Sequence, residues 1–352
     1  MMPESNQNGY YLYGIVTATE QRSFTVDGLE VELLPHDSLV AIISPASRTD
    51  YRRLERQEAI QALAIHQRVT EVVLREFVLL SVKFGTVLPT IAHIERLLTQ
   101  GKALFQEQFA KFTDSVQMEI VVLWDVAKVL QEIGNQEQIV QLKTQLALQP
   151  PEETVAERIA LGKMVKAALE WRRSELQNSL ISSLREVVLD LISNPLMDDS
   201  MVANVALLVN QECREKLEER LVALDREFEN QFIFRCIGPL PPYSFATVEI
   251  QIPTFETLNN ARLRLGLSEK ATALEIKQAY RHLVTALHPD QNPEMPDAQA
   301  QLQEVIQAAE LLNLFVESQS LAKNEAQPVY DFSEATVAQT FLIVVRRQEI
   351  KG

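Results

Sequence analysis

Metal, nucleophilic or acid/base chemistry in this chain would have to be built from His36, His66, His93, His282 and His288, from Cys213 and Cys236, and from 48 Asp and Glu residues. No two of the histidines stand at the HExxH spacing that puts two imidazoles on one face of a helix. The cysteines are not clustered as in a CxxC pair or a zinc knuckle. Ten glycines supply neither GxGxxG nor GxxxxGK[ST], the loops whose backbone amides cradle phosphates, and there is no GxSxG elbow. Glu215, Glu218 and Glu219 alternate with Lys216 and Arg220 at helical spacing, the pattern of a solvated face rather than of a catalytic pair. The residues therefore point to a binding or assembly protein, with no enzyme activity, no cofactor and no metal site.

One triplet stands apart, His288-Pro289-Asp290. Upstream, Thr272-Ala273-Leu274-Glu275 has the form of a capping box, in which Thr272 and Glu275 satisfy each other's free backbone amides at a helix start. Ile276, Ala279, Tyr280, Leu283 and Leu287 then make one apolar stripe, with Lys277, Arg281 and His282 away from its centre. Pro289 stops the helix. Beyond it Leu302, Val305, Ile306, Ala309 and Leu312 make a second stripe, so the two helices are expected to fold back as an antiparallel hairpin.

The remaining elements must position that hairpin. With 352 residues the chain has room for two or three domains. Its 46% hydrophobic and 23% charged residues are those of a soluble globular protein. A net charge of −15 opposes nucleic-acid backbones and anionic headgroups, and neither a signal peptide nor a membrane-spanning apolar run is visible, so we expect a cytoplasmic protein binding no nucleic acid and no membrane.

Period-two patterning predicts strands at Tyr10 to Val16, Leu29 to Leu34 and Leu39 to Ser44. A helical period predicts a helix from Arg52 to Leu80 and another around Ile94 to Phe109. Next come a strand from Met118 to Trp124, a long helix from about Pro151 to Leu191, a strand from Met201 to Val209, a charged helix from Glu212 to Glu229, and strands at Phe232 to Ile237 and Phe245 to Ile252. Residues 255 to 318 read as helical throughout, 321 to 328 as a linker. Thr340 to Val345 reads as a strand that cannot stand alone and must join an earlier sheet.

The expected fold is α+β: two α+β domains, 1–115 and a ferredoxin-like 116–252, then a J-domain-like hairpin at 253–320 and a returning segment at 321–352.

Three stretches resemble the GvpF/GvpL family of gas vesicle proteins: Tyr11-Leu12-Tyr13-Gly14-Ile15-Val16, Lys83-Phe84-Gly85-Thr86-Val87, and Gly238-Pro239-Leu240-Pro241-Pro242-Tyr243-Ser244-Phe245. Asn204-Val205-Ala206-Leu207-Leu208-Val209 agrees with the same family. By themselves these residues are fold determinants, aromatics facing a core and glycines and prolines shaping turns. The resemblance implies an accessory or minor structural protein that associates with gas vesicles and binds the very hydrophobic major shell protein and other vesicle proteins.

Residues 261 to 318 resemble the J-domain. That resemblance implies that His288, Pro289 and Asp290, with Lys277 and Arg281 as the basic face, engage an Hsp70 chaperone. The segment departs from the J pattern at Ala261, Arg262 and Ala309, which leaves a degenerate hairpin used as a spacer or for docking as the alternative role. A general J-domain co-chaperone with an α+β client-binding region is the alternative for the whole chain.

Overall fold

The unbroken run of aromatic and apolar residues in Tyr10-Tyr11-Leu12-Tyr13-Gly14-Ile15-Val16 makes a strand with two buried faces, and two helices cover it. The computed structural model describes residues 9–18, 21–46, 51, 54–229, 231–287, 297–320 and 328–348. It opens with β1 (Tyr10–Val16), β2 (Arg22–Val26), β3 (Leu29–His36), β4 (Leu39–Pro45), α1 (Arg56–Leu74), β5 (Leu79–Val82), β6 (Val87–Leu88) and α2 (Ile91–Phe112).

A register shift between Leu12 and Gly14 turns the faces of β1. Leu12 and Ile15 pack with Ile94, Leu97 and Phe105 of α2. Tyr11, Tyr13 and Val16 pack with Val69 and Val73 of α1 on the other side. Gly14 is required at this crossing: a Cβ there would lie 2.5 Å from the Leu79 side chain and 2.9 Å from the Leu80 carbonyl oxygen.

The second compact unit spans residues 114–245. It contains β7 (Ser115–Trp124), α3 (Val126–Gly134), α4 (Glu137–Ala147), α5 (Val155–Arg185), β8 (Asp190–Ser193), β9 (Met201–Asn210), α6 (Arg214–Glu227) and β10 (Phe232–Leu240). The strands run β10-β7-β9-β8, all antiparallel, with helices between β7 and β8 and between β9 and β10, the split β-α-β arrangement of ferredoxin-like folds. Met118, Ile120, Val122 and Trp124 face the helical layer and pack with Leu169, Leu180 and Leu184 of α5 and Leu217 and Leu224 of α6.

The chain then returns to the first unit through β11 (Thr247–Gln251), α7 (Phe255–Arg264), β12 (Lys270–Thr272), α8 (Ala273–Leu287), α9 (Ala298–Ser320), β13 (Val329–Asp331), α10 (Glu334–Val337) and β14 (Leu342–Arg346). The first sheet has eight strands in the order β14-β11-β5-β1-β4-β3-β2, with β6 also on β1. The fold is α+β, with no helix among the described residues long and apolar enough to cross a membrane.

Four expectations are corrected. The strand at 247–251 does not belong to the second domain: β11 runs parallel to β5 in the first sheet and carries β14 on its other edge. The first long helix stops at Leu74, and Leu79–Val82 is a fully buried strand whose continuous apolar run mimics a helix end. The second long helix stops at Arg185, and Asp190–Ser193 forms the edge strand β8. α3 and α4 fill a stretch the sequence reading left blank, and residues 255–318 are interrupted by β12, which pairs with β13.

Candidate functional site

The His-Pro-Asp triplet, His288, Pro289 and Asp290, lies outside the described residues; its supports do not. α8 starts where the capping box places it: the Thr272 backbone amide donates to Glu275 Oε2 at 2.7 Å, and the Glu275 amide donates to Thr272 Oγ1 at 3.2 Å. Donation from the Thr272 amide, then from its hydroxyl, holds the Glu275 carboxyl below the ordinary range. Thr272→Ala is expected to fray this turn, read as faster amide exchange at residues 273–276 with the rest of α8 unchanged.

Lys277 and Arg281 sit one turn apart on α8 and are both exposed, and Glu275 lies on the preceding turn. Ile276 is fully buried, while Ala279, Tyr280, Leu283 and Leu287 pack partly against the same core as Val305, Ala309 and Leu312 of α9. The hairpin thus presents its basic side chains outward from a fixed apolar floor.

That floor is continuous with the first sheet. An ion pair between Arg264 and Glu304 ties α7 to α9. Gln100 of α2 donates to the Ser318 carbonyl at 3.1 Å and the Phe341 carbonyl at 2.7 Å, and accepts from the Phe341 amide at 3.0 Å. The Ser318 hydroxyl accepts from the Ile343 amide of β14 at 3.0 Å. The J-like helices are therefore built into the first unit through buried and part-buried polar clamps, and are not a bead on a string.

The first two family-like stretches converge in the same unit. Tyr11 and Tyr13 form an aromatic cluster with Tyr51, His66 and Phe84. The Gly85 amide donates to the Tyr11 phenol oxygen at 2.9 Å, and that hydroxyl lies 3.0 Å from His66 Nδ1. With the imidazole proton on Nε2 the hydroxyl donates to Nδ1, and with it on Nδ1 the phenol oxygen accepts. Burial depresses the His66 pKa to about 4 and pushes the Tyr11 phenol up.

At physiological pH the pair is therefore a neutral imidazole beside a protonated phenol. The unfolded chain takes up this proton near pH 6.5, the folded chain only near 4. The contribution is complete above pH 6.5 and is lost as pH falls towards 4, at most about 3 kcal/mol. Denaturation midpoints of the wild type should therefore fall more steeply than those of His66→Gln between those pH values, and parallel curves would refute the assignment.

Beside this cluster β6 and the outer half of β11 diverge, leaving a groove of about 510 Å³ lined by residues 83–88 and 249–252. Lys83 and Arg346 both reach Glu249, at 2.9 and 3.0 Å. Burial opposes ionisation of Glu249, but these two cations outweigh it and hold its carboxyl below the ordinary range. The groove offers a strand edge and a compensated charge.

The third stretch is held by the sheet of the second unit. Gln117 and Glu119 point away from the helical layer, by the alternation of β7. Gln117 donates to the Ser244 hydroxyl at 3.0 Å and accepts from the Ser244 amide at 2.9 Å, and Tyr243 donates to Glu119. Gly238 has φ 145°, and a Cβ there would lie 2.6 Å from Met118 Sδ and 2.9 Å from the Gln117 carbonyl oxygen. Among the described residues no group of His, Cys, Asp and Glu gathers as metal ligands would.

Sequence reasoning placed Tyr11, Tyr13, Phe84 and Gly85 but missed His66, Tyr51 and Glu249. His66 falls inside a helical period and carries no local mark of its partner; only the packing of α1 against β1 brings the two together.

Residues 9–247 match the family described as gas vesicle synthesis protein GvpL/GvpF, and residues 264–315 match the DnaJ domain. The chain is 26% identical over 245 residues to gas vesicle protein F of Microcystis aeruginosa, covering 68% of this chain and 98% of that one. Over 49 residues it is 51% identical to the chaperone protein DnaJ of Chlorobium phaeobacteroides, 14% of this chain and 12% of that one. The crystal structure of GvpF from an Anabaena species superposes with a TM-score of 0.57 over 67% of this chain and 97% of that chain, at 23% identity, a likeness of fold. The three ordered stretches, the two α+β units and the match across 9–247 agree: the chain belongs to the gas vesicle synthesis protein GvpL/GvpF family and carries a DnaJ domain near its C-terminal end.

Proposed function

We propose that this protein is an assembly factor for gas vesicles that holds the hydrophobic major shell protein and brings an Hsp70 to it through the DnaJ domain. The observation that carries the reading is the coexistence of a GvpL/GvpF region over residues 9–247 with a DnaJ domain whose helices share a core with β14 of the same sheet. A shell subunit with a large apolar face aggregates unless that face is covered before polymerisation. A carrier of net charge −15 stays soluble while covering it. Lys277 and Arg281 on α8, and His288, Pro289 and Asp290 after them in sequence, are the residues we assign to the chaperone contact. On this reading the protein acts in the cytoplasm, at or near growing vesicles, and performs no catalysis itself.

The test is the fate of shell protein diluted from denaturant into buffer with or without the full-length chain. With the chain present, shell protein is expected to stay in the supernatant and to co-migrate with it on a sizing column. Equal pelleting in both samples would remove the carrier half of the proposal.

A further inference from the structure

The first sheet is split beside β5. β11 pairs with β5 at Thr247 and Val248, and beyond them its remaining partner among the described residues is β14. β6 pairs with β1. The groove of about 510 Å³ lies between β6 and the outer half of β11.

Both walls of the groove are strand edges. The Lys83 amide donates to the Val248 carbonyl at 2.9 Å, so the alternation of β11 turns the N–H and C=O of Ile250 to the same side, into the groove. The pairing with β14 agrees: Ile343 stands opposite Ile250, yet its amide donates to the Ser318 hydroxyl at 3.0 Å, away from β11. On the other wall the Thr86 carbonyl accepts from the Leu12 amide of β1 at 3.0 Å, which turns the N–H and C=O of Val87 away from β1. Backbone donors and acceptors on both walls select an extended chain over a helix, whose own backbone groups are already paired.

The side chains select the sequence of that chain. Leu88 and Ile250 pack with the α2 core, while Lys83 meets Glu249 on the opposite face of the sheet. Lys83 and Arg346 against the one carboxylate of Glu249 leave a net positive charge at this corner of a chain of net charge −15. We propose that the groove takes an extended segment of the shell protein as an added strand, with apolar side chains toward Leu88 and Ile250 and a carboxylate beside Lys83. This site rests on the carrier role proposed above. The added strand lies on one edge of β11, and β14, fixed to α9 through Ser318, lies on the other, so the client sits one strand from the clamp of the DnaJ helices.

Hydrogen exchange of the full-length chain, alone and with shell protein diluted from denaturant, tests this. The amides of Val87 and Ile250 are expected to slow by about tenfold or more when shell protein is held. Ile252 lines the groove and is 46% exposed, so Ile252→Asp should keep the fold and weaken retention of shell protein by about tenfold. Lys83→Gln should weaken it less and reduce its dependence on salt. If the wild type holds shell protein while both amides exchange at the free rate and Ile252→Asp holds as much, the groove proposal falls and the carrier role stands. A wild type that holds none overturns both. Protection in the chain alone that rises with its own concentration would give the groove to a second copy and overturn the proposal.

Discussion

Phe315→Ala is expected to destabilise the first unit by about 3–5 kcal/mol. The Phe315 ring is fully buried and stacks on Phe332 with centroids 5.1 Å apart. Leu258 of α7, Leu312 of α9, Val337 of α10 and Leu342 of β14 belong to the same core, so the cavity opens where the DnaJ helices meet the end of the sheet. A loss of this size is a large share of the roughly 5–15 kcal/mol that holds a domain folded. In urea the first unit should unfold at a much lower midpoint, and amide exchange should accelerate through α7, α8, α9 and β14. Phe315→Leu, which keeps most of the volume, should cost about 1 kcal/mol. If Phe315→Ala left the midpoint in place, the hairpin would not be anchored as described.

Asp290→Asn is expected to abolish stimulation of Hsp70 ATPase by the full-length chain, taking it from a rate above basal to the basal rate. The substitution keeps size and removes charge. Its effect should be confined to the chaperone: the circular dichroism spectrum and the retention of shell protein should not change. Charge reversal at Lys277 and Arg281 should weaken the same stimulation in a salt-dependent way, because these exposed side chains act through long-range attraction. A wild-type chain that gave no stimulation would assign the DnaJ helices the spacer or docking role left open by Ala261, Arg262 and Ala309.

Elements whose cause is local were legible in the sequence. Thr272 and Glu275 announced the start of α8 because both halves of a capping box lie within four residues. β1, β3 and β4 were visible because each alternates between two packed faces or ends at a turn with a positive φ residue, Asp27-Gly28 and Asp37. β5 and β8 were hidden because a short apolar run following a helix has no period of its own. Nothing around Thr247–Gln251 says which sheet takes it; that depends on β14, which arrives about ninety residues later.

The same distinction holds for the site. Lys277 and Arg281 lie on the predicted helix and are exposed, since amphipathic spacing fixes a face. The clamp of Gln100 on Ser318 and Phe341 joins residues more than two hundred positions apart, and no spacing rule reaches that far. His66 is the sharpest case: its contact with Tyr11 and its burial-depressed pKa arise where two elements pack, and neither cause is written next to it.

Photocrosslinking during vesicle formation decides whether this protein handles the shell subunit. A photoreactive residue is placed in turn at exposed positions across 9–247 and at Arg281 of the DnaJ domain. The account predicts adducts with the major shell protein from positions within 9–247, forming before vesicles appear, and adducts with Hsp70 from position 281. Vesicles that form on schedule with no shell adduct from any position would contradict it.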